Sequence, residues 1–154
     1  MLELVHYLHI VSGATWGGAA IMATLVWIPA MQALPPDSIS GFFSAAGKRA
    51  RRIIGLAGMT VIITGLLRAY LGGGVRSLED LWSPYGLWVL AALGVFFGMR
   101  LYGKHSGKGI GEALKRGEDP RPAMRESFKV DVLVYPGGVL LLLGIMVIMR
   151  MGLY

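Results

Sequence analysis

Four long uncharged runs divide this chain, and they limit its fold more than any other feature of the sequence. They cover residues 4–32, 53–67, 81–99 and 132–149, and the second continues past Arg68 to residue 75. A helix needs about 20 apolar residues to cross a bilayer, and backbone polar groups in lipid must be satisfied internally. The runs therefore predict one all-α domain, residues 1–154, with membrane spans at about 4–31, 53–73, 84–102 and 127–150.

Positive charge is concentrated on the connections that follow the first and third spans. Twelve of the 15 Lys and Arg residues lie there: Lys48, Arg49, Arg51, Arg52, Arg100, Lys104, Lys108, Lys115, Arg116, Arg121, Arg125 and Lys129. The other side of an up-down-up-down four-helix bundle has only Arg68, Arg76 and Arg150. By the positive-inside rule, the two basic connections face the cytoplasm, and both termini lie on the outer (periplasmic) side of the cell inner (plasma) membrane.

The net charge of +6 therefore indicates mainly how the chain is oriented in the membrane. The basic segments also fit contact with anionic membrane lipid. Their placement argues against nucleic acid as a partner. The chain has no cysteine, which excludes disulfides, iron–sulfur clusters and thiolate metal sites.

Proline, glycine and polar residues mark the predicted limits of the spans. Residues 35–36 break the chain after span one, and residues 38–52 are predicted to form a short amphipathic helix at the cytoplasmic surface. Glycines 72–74 end span two. Residues 103–121 are polar and glycine-containing and predict a cytoplasmic loop, and Pro136 predicts a kink in span four.

Small residues and one acidic residue give further expectations about packing. The pairs Gly13/Gly17 and Gly94/Gly98 each have the four-residue spacing that allows two membrane helices to approach closely. Asp131, at the inner start of span four, is expected to cap that helix or to pair with Lys129 or the basic loop.

Two histidines near the outer end of span one are the main candidates for chemistry. His6 and His9 are three residues apart and share a helical face, which continues to Gly13. A histidine with a glycine one turn above it leaves a flat space beside the imidazole, as a porphyrin requires. Ionisable residues inside a membrane segment are functional hypotheses by default. The alternative is that both rings lie at the interface with their polar tips among headgroups.

Arg68 and the methionines of span four lie at the same depth as these histidines. Arg68 could extend its guanidinium to the interface, or it could pair with a buried anion such as a heme propionate. Met146, Met149 and Met151 could ligate heme iron or Cu(I), or serve as apolar filling. His105 lies at the opposite end of the bundle and is expected to be a solvated loop residue.

Several short segments resemble one family of membrane proteins. Leu8-His9-Ile10-Val11, Trp16-Gly17-Gly18 and Ile28-Pro29-Ala30 resemble the first helix of the HemJ-type protoporphyrinogen oxidases. Residues 43–70 and 128–136 resemble that family's second and fourth helices. The related copper-resistance protein D (CopD) membrane family shares the early histidine and a Trp-x-Gly pattern.

The resemblance implies a four-helix bundle that oligomerises and binds heme b, with His9 as the heme-associated histidine. The family has a second key residue, a lysine near the start of helix three. Here no lysine lies between Lys48 and Lys104, and the region reads Tyr85-Gly86-Leu87-Trp88. The resemblance therefore implies the fold and the heme more directly than the oxidase reaction.

The leading hypothesis is a b-type heme membrane protein for electron transfer or for quinone-linked or porphyrin redox chemistry. His9 would ligate the heme iron, and Arg68 would neutralise a propionate. The second ligand could be His6, a span-four methionine such as Met149, or a residue of another protomer in a homo-oligomer, with a dimer favoured. Whether the chain is a heme-dependent oxidoreductase stays open. The alternatives are a protoporphyrinogen oxidase, a copper-handling protein and a non-catalytic helper in a larger membrane complex.

Overall fold

The computed structural model describes residues 1–152, and within them the chain folds into four long helices. These are α1 (Leu2–Gln32), α2 (Pro36–Leu71), α3 (Pro84–Arg116) and α4 (Arg121–Met151). A single 3-10 turn, Glu79–Trp82, precedes α3. Each of the four helices is long and apolar enough to cross a membrane. The prediction of an all-α membrane protein with four helices able to span a bilayer is confirmed.

The helices pack mainly as neighbours in sequence. Helix α1 packs along α2, α3 packs along α4, and α1 also contacts α4, whereas α2 and α3 touch at few places. The main core draws on all four helices and consists of Trp16, Ala57, Phe96, Met99 and Val139. Because α2 and α3 touch so little, the space between them is open to a ligand.

Three helices extend well beyond the predicted spans at the basic end. Helix α2 starts at Pro36, so the predicted surface helix 38–52 is continuous with span two. Helix α4 starts at Arg121, several residues before the predicted position. Helix α3 continues to Arg116, so the predicted loop 103–121 is wrong.

The reason for this extension is a second apolar core. Met31, Ile39 and Met124 are buried together, and partly buried neighbours such as Ile110 pack against them. A helix of 36 residues is about 54 Å long at 1.5 Å per residue, which exceeds a hydrocarbon layer of about 30 Å. The bundle therefore continues past the lipid on its basic side.

Prolines inside α1 and α4 are accommodated without ending either helix. In α1, a π-helical turn, Ala23–Trp27, comes just before Pro29. Its wider hydrogen-bond spacing relieves the clash that a proline ring makes with the carbonyl four residues earlier. Helix α4 runs on through Pro136. Span one therefore continues through Pro29 and ends at Gln32, close to the predicted limit at about residue 31.

Only one of the two glycine pairs marks a close helix contact within the chain. A Cβ atom on Gly13 would lie 3.3 Å from Val61 of α2, and one on Gly17 would lie 3.3 Å from Val139 of α4. By contrast, a Cβ on Gly94 or Gly98 would meet no atom of residues 1–152 within 4 Å. The prediction of close packing thus holds for the pair in α1 and fails, within this chain, for the pair in α3.

We expect Gly58→Leu to destabilise the bundle. A Cβ at this position would lie 3.1 Å from Trp16 Cδ1 and 3.3 Å from Phe96 Cζ, so a larger side chain must displace both core rings. Overpacking of this kind costs about 1–3 kcal/mol. Thermal unfolding in mild detergent should show a lower midpoint for Gly58→Leu than for the control Gly144→Leu, whose Cβ meets open space. Equal midpoints would contradict the packing described above.

Candidate functional site

A cavity of about 440 Å³ lies in the half of the bundle that holds the start of α1 and the end of α4. All four helices contribute to its wall, which is almost entirely apolar. The few side chains with polar atoms on it are His9, Trp16, Arg68 and Tyr85. Its volume falls within the range of small-molecule and cofactor sites, about 300–1,000 Å³. An apolar cavity with a few polar groups is the usual form of such a site.

The cavity exists because its wall is rich in residues with little or no side chain. They are Gly13, Ala14, Gly17 and Gly18 of α1, Gly65 of α2 and Ala92 of α3. The sparse contact between α2 and α3 leaves further room beside them. Smooth helix surfaces of this kind present flat apolar walls.

The imidazole of His9 is buried and held in one tautomer by α2. Its Nδ1 lies 3.0 Å from the backbone oxygen of Val61 and 3.2 Å from Thr64 Oγ1. A carbonyl oxygen only accepts, so Nδ1 carries the hydrogen and donates it. The Thr64 hydroxyl donates its own hydrogen to the carbonyl of Thr60, so its oxygen is also free to accept from Nδ1. The lone pair of the ring is therefore on Nε2.

The ring of His9 also packs closely against α2. A Cβ atom on Gly65 would lie 3.1 Å from His9 Cε1, which is tighter than an ordinary contact. Val61, Thr64 and Gly65 lie on one face of α2, because they are spaced three and four residues apart. One face of α2 thus fixes the position, orientation and tautomer of the imidazole.

Arg68 lies one turn beyond Thr64 on α2 and also lines the cavity. It is half-buried, and no carboxylate in residues 1–152 lies within ion-pair distance of it. A guanidinium in a membrane helix requires an anionic or polar partner. Its place on the cavity wall favours a bound anion as that partner over simple extension to the interface.

The structure brings together most, but not all, of the site residues predicted from the sequence. His9, Gly13, Arg68 and Met149 line the cavity, and Met146 joins them. His6 is not on the wall, and its Nδ1 is buried without a partner within the described residues. Met151 is also off the wall, with 65% of its surface exposed.

His105 is exposed, as expected, but it belongs to α3 rather than to a loop. Across residues 1–152, no three His, Asp or Glu side chains form a group that could hold a metal ion. A metal held only by such side chains is therefore not supported. The donors on the cavity wall are instead one imidazole and two thioethers, which is a set suited to heme iron or Cu(I).

Sequence reasoning missed the residues that orient His9. Val61, Thr64 and Gly65 sit in an apolar run where nothing marks them as partners of a histidine. The one available signal was Thr64, a polar residue one turn before Arg68 in a membrane span. Comparison with known proteins adds no further guide, since no protein-family model, curated protein or solved structure matches the chain.

Proposed function

We propose that the chain is an integral membrane protein that binds heme b in the cavity beside His9. The observation that carries the proposal is the imidazole itself: it is buried on the cavity wall, and its Nδ1 hydrogen is donated to the Val61 carbonyl. Histidines that ligate metals are commonly fixed in this way, with the second nitrogen left to coordinate. The sequence resemblance to the HemJ and CopD families favours the same cofactor.

The other residues of the cavity suit the parts of a heme. The apolar walls, with Trp16 and Phe96, match the faces of a porphyrin. Arg68 provides a cation for a propionate. The thioethers of Met146 and Met149 are candidates for a second axial ligand, and they are favoured over His6 because they line the cavity. A bound heme would supply one-electron redox chemistry, and these residues would set its position and exclude water.

Electron transfer is the role that this site supports best, with a quinone or porphyrin as a possible redox substrate. Among residues 1–152, the cavity wall offers no carboxylate and no lysine to act in proton transfer. Tyr85 occupies the wall near the start of α3, where the HemJ family has its lysine. Protoporphyrinogen oxidation is therefore the secondary proposal for the same site.

His9→Ala is expected to abolish heme binding, because it removes the proposed axial nitrogen. The protein should be purified in mild detergent with added hemin, and oxidised and dithionite-reduced absorption spectra recorded. The wild type should show a sharp Soret band and, on reduction, α and β bands. His9→Ala should lose them, and added imidazole should restore part of the Soret band.

The matched control for this experiment is His105→Ala. His105 is exposed and lies at the far end of α3, so its loss should leave the spectrum unchanged. A full spectrum in His9→Ala would overturn the assignment of His9. A wild type that stays colourless with hemin would overturn the heme proposal itself.

Copper handling is the second candidate function. Its support is that the imidazole of His9 and the thioethers of Met146 and Met149 line one cavity. Soft thioether and imidazole ligands suit Cu(I). His6 and Met151, which the sequence suggested as further ligands, lie off the cavity wall and would take no part.

If the cavity binds copper, Met146→Leu combined with Met149→Leu should remove Cu(I) binding from the heme-free protein. Leucine preserves the volume of the side chain and removes the sulfur ligand. Competition with a coloured Cu(I) chelator measures the affinity. Met151→Leu is the control and should bind as the wild type does, whereas unchanged binding in the double variant would eliminate this function.

The orientation in the membrane is also part of the proposal. The basic ends of the helices face the cytoplasm and both termini face the outer side of the plasma membrane, as the distribution of Lys and Arg predicts. Pairing with a second copy to form a dimer is supported by Gly94 and Gly98. Both are exposed on α3, and within residues 1–152 a Cβ on either would meet no atom within 4 Å, as at a surface where two helices approach closely.

Single-cysteine labelling tests this orientation directly, because the chain has no cysteine of its own. Glu79→Cys places a thiol before α3, and Glu118→Cys places one in the connection between α3 and α4. A membrane-impermeant maleimide should label Glu79→Cys on intact cells and Glu118→Cys only after permeabilisation. The reverse pattern would invert the proposed topology.

A further inference from the structure

A second cavity, of about 480 Å³, lies between α2 and α3 at the end of the bundle away from the basic segments. Its wall combines the end of α2, the connection that leads into α3, and Val89 of α3. Leu66 and Val89 line both this cavity and the one beside His9, so the two cavities adjoin in the gap where α2 and α3 touch little. The volume of the second cavity is also within the range of ligand sites.

The connection between α2 and α3 folds back over the end of α2 and forms one side of this cavity. The backbone N–H groups of Gly74 and Val75 donate to the carbonyl of Ala69, at 3.0 and 3.1 Å. Gly73 permits the reversal, because its φ of +79° lies in the left-handed region that favours glycine. A Cβ on Gly74 would collide with the ring of Tyr85, so the connection is also packed tightly against α3.

Arg76 places a positive charge on the wall of this cavity. Its guanidinium lies over Gly73, where a Cβ atom would be 3.0 Å from Nη2. The carboxylate of Asp80 accepts the backbone N–H groups of Arg76 and Ser77, each at 2.8 Å. Neither this carboxylate nor any other of residues 1–152 lies within ion-pair distance of the guanidinium. Arg76 is therefore able to receive an anionic ligand from outside the chain.

The one buried carboxylate of residues 1–152 is too far along the bundle to compensate Arg76. It belongs to Asp131, which is 3% exposed and lies in the basic half of α4. Helix α4 begins well before it, at Arg121, and no ion pair joins Asp131 to another described residue. The predicted cap and the predicted pairing with Lys129 or the basic loop are therefore wrong.

The second cavity lies at the level where a membrane changes from hydrocarbon to head groups. Helix α2 ends at Leu71, and α3 begins at Pro84. Between them, Leu78 and Trp82 are 82% and 76% exposed. Exposed apolar and aromatic side chains at the ends of membrane helices are typical of contact with lipid at the interface. A ligand at this level meets hydrocarbon on one side and head groups on the other.

The lining of this cavity suits an amphiphile with an anionic head group. Among residues 1–152, the polar side chains on the wall are Tyr70, Arg76 and Ser77, and the rest of the wall is apolar. A free anion would bind Arg76 but leave the apolar wall in contact with water, which is unfavourable. A phospholipid uses both parts, since its phosphate accepts charge-assisted hydrogen bonds from a guanidinium and its chains cover apolar surface.

We propose that the second cavity binds one anionic phospholipid, with its phosphate on Arg76 and an acyl chain in the gap between α2 and α3. An anionic head is favoured over a zwitterionic one, because choline or ethanolamine would bring a second positive charge towards the guanidinium. The acyl chain would cover Leu66 and Val89 and so close that side of the His9 cavity. The proposal does not depend on any cofactor beside His9.

Native mass spectrometry of the full chain tests the head group. The protein in mild detergent is given equal amounts of phosphatidylglycerol and phosphatidylcholine with the same acyl chains. The wild type should retain one phosphatidylglycerol in preference to phosphatidylcholine. Arg76→Gln should bind phosphatidylglycerol about tenfold more weakly, because it loses a hydrogen bond between charged groups. The control Arg150→Gln removes an exposed charge at the same end of the bundle, off the cavity wall, and should bind as the wild type does.

A second variant and a chain-free head group test the acyl chain. Val75→Trp fills the cavity from the connection and should weaken the binding of both lipids, while an unfolding midpoint near that of the wild type shows that the fold is retained. Glycerol phosphate should not displace the lipid. Equal retention of the two lipids by the wild type, unchanged binding in Arg76→Gln or an equal loss in Arg150→Gln would overturn the proposal. Displacement by glycerol phosphate at the concentration of the lipid would also overturn it, in favour of a free anion.

Discussion

The close approach of α1 and α2 is the interaction on which the rest of the structure depends. Gly13 meets Val61 and Gly65 meets the ring of His9, so a side chain at either glycine would crowd the facing helix. The same approach brings the imidazole within reach of the Val61 carbonyl. Fold and site therefore have one cause: the small residues that let the helices pack also place a histidine, in a defined tautomer, inside the membrane region.

Charge and apolar length predict the number, type and approximate position of the helices, because the bilayer constrains both. These two features give a wrong prediction at the basic end, where a loop was expected at residues 103–121 but α3 continues to Arg116. The reason is that polar composition does not distinguish a solvated loop from a solvated helix. The helical conformation at this end is stabilised by a small tertiary core around Met31 and Met124, which brings together residues from distant parts of the chain.

The candidate site was partly predictable for a similar reason. His9 and Arg68 stand out because ionisable residues are rare in membrane spans. The partners of His9 do not stand out, since a backbone carbonyl has no sequence signature and a glycine can serve many roles. His6 shows the converse. It has the same residue type as His9 and lies on the same face one turn nearer the start of α1, yet it does not line the cavity, because the cavity wall in α1 begins at His9.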